Sequence, residues 1–200
     1  MEFHKYLVKY RLNKTGLNRM HLTAKGRDAV VAAGVATARE LFVPRVAVAL
    51  KDLAHTCWIN DVSIVLRSGT PRAFDTVQPA WALQRLLVPA PVAIPDILAI
   101  RKPRPGDAGR LLCLEIDLGG ERLKATFIPK LGAMAGLLLS WAQGTPVGIV
   151  VLTKGTGRAA SLKAQLAEVG LPVPIAIEML PREVARPGLV ALRVLLAMAM

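Results

Sequence analysis

Runs and alternations of apolar residues divide this chain into short strands and amphipathic helices. Residues 3–12 carry the strand-like tract Tyr6-Leu7-Val8-Lys9-Tyr10, Asn13-Lys14-Thr15-Gly16 has the composition of a turn, and residues 19–22 can return as a second strand. Thr23 then stands as an N-cap before a helix that opens Ala24-Lys25-Gly26-Arg27. Residues 36–67 keep helical spacing, with Val46, Ala49, Leu50, Leu53 and Ala54 in one series and Trp58, Val62 and Val65 in the next. Residues 68–79 read as a loop, 81–88 as a strand, 94–100 as a clearer strand and 101–110 as a basic turn rich in proline and glycine. A strand over 111–118 and another over 122–127 follow, and Pro129 suits the first turn of a helix that runs to about residue 143. The unbroken apolar run at 147–152 has the character of a strand buried on both faces, 159–169 is an amphipathic helix, 173–177 a strand and 181–199 a helical end. Strands followed by alternating helix and strand predict a layered α/β fold.

Composition adds a partner to this outline. Of 200 residues 53% are apolar, enough to bury a core, and the net charge is +12. Such an excess favours a polyanion through counterion release, nucleic acid first and an acidic membrane surface second. The first unit, residues 1–34, holds Lys5, Lys9, Arg11, Lys14, Arg19, Lys25 and Arg27 against only Glu2 and Asp28. A basic hairpin of this kind is suited to lie along a phosphate backbone. Residues 35–200 form the second unit, the α/β domain. Cys57 and Cys113 have neither metal spacing nor a disulfide framework and read as buried thiols in a reducing compartment. The first residues are polar and basic rather than a secretory core, and the apolar stretch 188–200 carries Arg193 and is too short for a bilayer. The expectation is a cytoplasmic protein with no membrane partner.

Three carboxylates carry the candidate chemistry. Asp96 follows Pro95 at the head of one strand, and Glu115-Ile116-Asp117 lies on the next. Residues two apart on a strand share a face, so Glu115 and Asp117 project together, and strand pairing can bring Asp96 beside them. Converging carboxylates suit Mg²⁺, which can activate water and offset charge on a scissile phosphate. The plainer reading stays open: Asp96 as a turn cap, Glu115 and Asp117 as the wet face of a half-buried strand, His55 as an ordinary helix side chain. The loop Thr153-Lys154-Gly155-Thr156-Gly157-Arg158 lacks the spacing of a nucleotide-binding loop and reads instead as a basic loop touching DNA phosphate. No serine stands in a nucleophile elbow and no histidine pair has zinc spacing.

Two resemblances rest on these residues. Leu22-Thr23-Ala24-Lys25-Gly26-Arg27 resembles the end of the wing and the start of the next helix in winged-helix DNA-binding domains. The helices that precede a wing are not in the sequence, so the hairpin is expected to belong to a larger domain or to act without a reading helix. The order Pro-Asp, then Glu-x-Asp on an apolar strand, then a helix, resembles the PD-(D/E)xK nuclease superfamily. The wider series is similar to the plasmid replication–relaxation protein family over roughly residues 5–155: His55, Ile59-Asn60-Asp61-Val62, Ile94-Pro95-Asp96, Leu114-Glu115-Ile116-Asp117-Leu118-Gly119-Gly120-Glu121 and Lys130-Leu131.

These resemblances imply a restriction-endonuclease-like core, a mixed sheet flanked by helices, behind a winged-helix-like hairpin. They imply DNA as partner with a relaxase or replication initiator beside it, while a homodimer goes with the regulator reading, in which the α/β core dimerises. In active nucleases of this kind a lysine stands two residues after the strand acid, where this chain has Asp117. Lys130 near the start of the following helix is the first substitute, and Lys124 the second. The primary reading is therefore a DNA-binding accessory protein of plasmid or mobile-element replication or relaxation, built on a nuclease-like scaffold. Two alternatives accompany it: an Mg²⁺-dependent DNA endonuclease with Asp96, Glu115 and Asp117 as metal ligands and Lys130 assisting, and a winged-helix transcriptional regulator. Metal-dependent cleavage that disappears in Asp96→Ala or Glu115→Ala, or an ordered Mn²⁺ between Asp96 and Glu115 with Lys130 nearby, separates the first two.

Overall fold

A computed structural model describes residues 7–11, 18–34, 50–68, 74–87 and 91–180. The chain divides into two compact units, Met1–Ala49 and Leu50–Met200. In the first, strands β1 (Leu7–Arg11) and β2 (Asn18–Leu22) pair antiparallel, with Leu7 opposite Leu22 and Arg11 opposite Asn18. Helix α1 (Ala24–Ala32) follows at once, and the Thr23 Oγ1 accepts the Gly26 N–H at 3.0 Å, the cap that the sequence predicts.

The second unit is built on a five-stranded mixed sheet in the order β3-β4-β5-β6-β7. After helix α2 (Leu50–Ser68), strands β3 (Thr76–Pro79), β4 (Ile97–Arg101) and β5 (Arg110–Asp117) run as an antiparallel meander. Helix α4 (Ile128–Ala142) then crosses to β6 (Val147–Thr153), and α5 (Thr156–Val169) crosses to β7 (Ile175–Met179), both strands parallel to β5. Alternate residues of the central strands feed two cores. Leu112, Leu114 and Ile116 of β5 pack with Val62, Val65 and Leu66 of α2. Cys113 packs with Leu131, Met134 and Leu138 of α4 and Leu162 of α5 on the opposite face. The result is a helix–sheet–helix sandwich whose middle strand is covered on both sides, which explains the near-continuous apolar reading of β5 and β6. Cys57 and Cys113 are buried free thiols, as expected.

Two segments depart from the pattern read in the sequence. Of residues 81–88, expected as a strand, 81–86 wind into helix α3 (Ala80–Leu86), residue 88 lies outside the described residues, and the strand lies just before the helix in the segment expected as a loop. The helix-forming composition Ala-Trp-Ala-Leu-Gln-Arg-Leu decides the first point. The second follows from position: β3 is a short edge strand, the place where Pro79 is tolerated. Residues 122–127, also expected as a strand, form a π-helical turn over Leu123–Phe127, in which the Arg122 carbonyl accepts the N–H groups of Thr126 at 3.0 Å and Phe127 at 3.1 Å. That turn buries Phe127 and leads straight into α4. The helices expected at 36–49 and 181–199, the hairpin turn at 13–16 and residues 69–73 of the expected loop lie outside the described residues.

By length and composition Leu123–Ala142 is apolar enough to cross a membrane, but Leu131, Met134, Ala135 and Leu138 are fully buried against the sheet. Its apolarity is that of a core helix. Leu131→Ala is expected to cost about 2–5 kcal/mol in urea unfolding, whereas Leu139→Ala, at a side chain 47% exposed, stays within about 0.5 kcal/mol. Equal costs at the two positions would contradict this placement of α4.

Candidate functional site

Strand register assembles the site. Ile97 pairs with Leu114, so the residue before β4, Asp96, comes to lie beside Glu115. The Asp96 N–H donates to Glu115 Oε1 at 3.0 Å, and the Ile116 N–H donates to Asp96 Oδ2 at 2.8 Å. The Asp96 carbonyl accepts the Ala80 N–H at 2.7 Å, which ties the head of α3 to this corner. His55, reaching from α2, sets Nε2 at 3.0 Å from Asp96 Oδ2 and at 2.9 Å from the Ile116 carbonyl. Both neighbours are acceptors, so Nε2 carries a proton. The hydrogen bond to Asp96 raises the His55 pKa above its ordinary value, outweighing the burial that would lower it.

Glu115 is the deepest of these groups, 1% exposed. Its Oε2 accepts Lys130 Nζ at 2.5 Å. Lys130 sits in the first turn of α4, after the π-helical turn and Pro129 have set the direction of the helix. Burial first, and then the neighbouring Asp96 charge, push the Glu115 carboxyl up to about 7 despite the Lys130 ammonium and the Asp96 N–H. Burial alone would lower the Lys130 pKa, but Glu115, Asp96 and Glu121 together hold it above its ordinary value.

Asp117 belongs to a separate set of bonds. Its Oδ1 accepts the Gly119 N–H at 2.9 Å and Arg158 Nη2 at 3.0 Å, while Oδ2 accepts Thr153 Oγ1 at 3.0 Å and Arg158 Nε at 2.7 Å. Burial would raise its pKa, but the Arg158, Gly119 and Thr153 hydrogen bonds outweigh that and hold the carboxyl below its ordinary value. The reading of Glu115 and Asp117 as a solvent face does not survive: both are buried, because β5 is the central strand and helices cover both sides.

Of the expected catalytic group, then, the structure brings together Asp96, Glu115 and Lys130 and draws Asp117 away to Arg158. Lys124, the second-choice lysine, is 78% exposed and lies 4.0 Å from Glu168. Among the described residues no group of three or more His, Cys, Asp and Glu side chains is disposed to share a metal ion. What remains for a hard cation is the Asp96–Glu115 pair, in which nothing among the described residues bonds Asp96 Oδ1. Of the expected DNA contacts, Lys9, Arg11 and Arg19 lie on the paired strands β1 and β2. Lys25 is exposed on α1, Arg27 is paired with Asp28 at 2.7 Å, and Lys5 and Lys14 lie outside the described residues.

Sequence reasoning left His55 without a role and saw Arg158 only as part of a basic loop. Their partners are 41 residues away in both cases, and no local spacing signals such a pair.

The shifts at Glu115 and His55 have the same sign for stability. Glu115 moves from 4.5 to about 7 and His55 upward from 6.5, so in this window the folded chain binds more protons than the unfolded one and stability falls as pH rises. Urea melts in EDTA are expected to lose stability between about pH 5 and about pH 8, with Glu115 contributing about 3 kcal/mol at most. Glu115→Gln removes that share and flattens the profile; a wild-type profile that rises across the window would overturn the assignment.

Compared with family models, curated proteins and solved structures, the chain finds no match.

Proposed function

We propose that the second unit is a restriction-endonuclease-like domain that hydrolyses phosphodiester bonds in DNA, with Asp96 and Glu115 as cation ligands and Lys130 in place of the strand lysine. The single observation that carries this reading is the hydrogen bond from Lys130 Nζ to Glu115 Oε2. The pair ties α4 to β5, and the same ammonium stands beside the two carboxylates where a nuclease site of this kind uses a lysine; as a purely structural tie it is costly. Taking two charges out of water costs several kcal/mol per ion, which their attraction only partly offsets. The order of elements, helix, three-stranded meander, helix, parallel strand, is consistent with such a domain.

The residues fit a divalent cation. Glu115 is buried and its ionised form is destabilised by Asp96, a conflict that a hard cation between the two carboxylates would relieve, and Mg²⁺ is commonly held by one or two carboxylates plus substrate phosphate and water. When bound, the cation would supply an activated water and charge neutralisation on the phosphate. The chain's own groups do the rest. His55 and the Ile116 N–H fix the Asp96 carboxylate, the Asp96 N–H fixes Glu115, and Lys130 offers donors to a phosphate oxygen or to the attacking water. In the hydrolysis a water oxygen bonds to phosphorus as a bridging P–O bond breaks, and the leaving oxygen takes a proton.

In this reading the basic hairpin unit holds the DNA backbone without reading its sequence, as a partial wing would. The chain acts in the cytoplasm in plasmid or mobile-element replication or relaxation, beside a relaxase or replication initiator. The accessory reading, in which the core only supports DNA contacts, is the fallback if cleavage is absent.

Supercoiled plasmid incubated with the protein and Mg²⁺ or Mn²⁺ is expected to be nicked or linearised, and EDTA to stop the reaction. Asp96→Asn, Glu115→Gln and Lys130→Met, each checked for an intact fold by circular dichroism, are expected to lower the rate about 100-fold or more. Absence of cleavage with every metal, or cleavage that survives Asp96→Asn and Glu115→Gln, sinks the proposal.

A further inference from the structure

We infer that Arg158, held in place by Asp117, is a preset contact for a backbone phosphate of the DNA bound at the Asp96–Glu115–Lys130 corner. The inference rests on the nuclease-like reading for the identity of the ligand and assigns Asp117 a positioning role instead of a metal-binding one.

Asp117 has no capacity left for a cation. Its two oxygens accept four hydrogen bonds, and its side chain is 2% exposed. All of that bonding serves the guanidinium or the loop around it. Arg158 is held by Asp117 through Nε and Nη2 and by the Glu121 carbonyl, which accepts Nη2 at 2.8 Å, and its Cζ lies over the Phe127 ring, 5.9 Å from the ring centre. Nη1 is the part left over. Among the described residues it has no partner, and it is not sealed from solvent. A structural ion pair between β5 and α5 needs only the two parallel bonds to Asp117. The Glu121 carbonyl takes the second Nη2 hydrogen, and with the ring it fixes where Nη1 points; a donor fork fixed in advance loses little entropy when it takes an anion.

Position and access agree with this role. Asp117 pairs in register with Thr153, and the Lys154 N–H donates to the Asp117 carbonyl at 3.1 Å, so the turn leading into α5, whose first turn carries Arg158, leaves β6 beside the end of β5. Glu115 lies two residues back on the same face of β5, about 6.6 Å along the strand, within reach of a neighbouring phosphate on one nucleic-acid strand. Lys154, Gly155, Thr156 and Gly157 are exposed, and open space stands where side chains at Gly155 and Gly157 would begin. A bulky strand can therefore approach the loop closely. The opposing effect is the charge of Asp117, which repels phosphate. It is buried beneath the guanidinium, so an approaching phosphate meets Nη1 first, and exposed Lys154 adds a further positive charge.

The sign of one substitution separates this role from a structural one. Asp117→Asn removes a negative charge and by charge alone tightens DNA binding; if Asp117 works by holding Arg158, the same change weakens it. The full chain is titrated in EDTA against a short fluorescent DNA duplex over a range of KCl, with a thermal melt of each variant. Arg158→Lys is expected to bind about tenfold more weakly. Arg158→Gln is expected to bind more weakly still, with the slope of log affinity against log salt reduced by about one. Asp117→Asn is expected to bind several-fold more weakly than wild type. Arg158→Lys binding like wild type, or folded Asp117→Asn binding as tightly or more tightly, overturns the inference, as does a wild-type chain that binds no DNA. Should Asp117→Asn fail to fold, Arg158→Lys, which keeps a cation beside the buried carboxylate, decides by itself. Cleavage in Mg²⁺ is read separately. A chain that cleaves, with both variants binding normally, loses the clamp and keeps the nuclease; a chain that cleaves nothing, with Arg158→Lys weakened, loses the nuclease and keeps the clamp.

Discussion

Three carboxylates buried at one end of the central sheet, Asp96, Glu115 and Asp117, cannot remain there without partners. Each takes its partner from a different helix: Asp96 from His55 on α2, Glu115 from Lys130 on α4, Asp117 from Arg158 on α5. These pairs bind helices on both faces of the sheet to the same strand ends. The apolar cores alone would permit each helix to slide or turn by a fraction of a residue, since hydrophobic attraction is not directional. The ion pairs are directional, and removing one partner of a buried pair leaves an uncompensated charge that costs about 3–5 kcal/mol. The corner is therefore the most demanding part of the described fold.

The three pairs are not equivalent. Asp117 accepts four hydrogen bonds and its ionised form is favoured. Glu115 is the reverse: burial and Asp96 work against its charge, and Lys130 does not fully compensate. A site with residual electrostatic conflict is one that a bound cation improves, whereas a saturated one is not. This contrast, within two residues of one strand, assigns different work to two acids that look alike in sequence. The π-helical turn contributes as well. Its extra residue ahead of α4 changes the phase at which that helix begins, and with it the direction in which Lys130 is presented.

Much of the architecture was legible in the chain. The apolar runs of β5 and β6, the alternating hairpin strands, the Thr23 cap and the two crossover helices follow from local composition and period, because buried strands and amphipathic helices have distinct repeats. The errors fell on short segments where period is ambiguous. Seven residues from Ala80 to Leu86 present too little repeat to separate helix from strand, and Leu123–Phe127 has the composition of either until the Arg122 carbonyl collects its two N–H donors. Edge strand β3 carried a proline, which counts against a strand unless its edge position is known.

For the carboxylate corner, the sequence by itself determined the residue types and their alternation on β5. It could nominate Lys130 by its place at a helix start. Only tertiary structure decided that Lys130 reaches Glu115 and that Asp117 is spent on Arg158. The reason is physical. Which face a strand residue uses is local, set by a two-residue period, but which cation meets a buried carboxylate depends on strand register and helix phase, quantities that exist only once distant segments have packed.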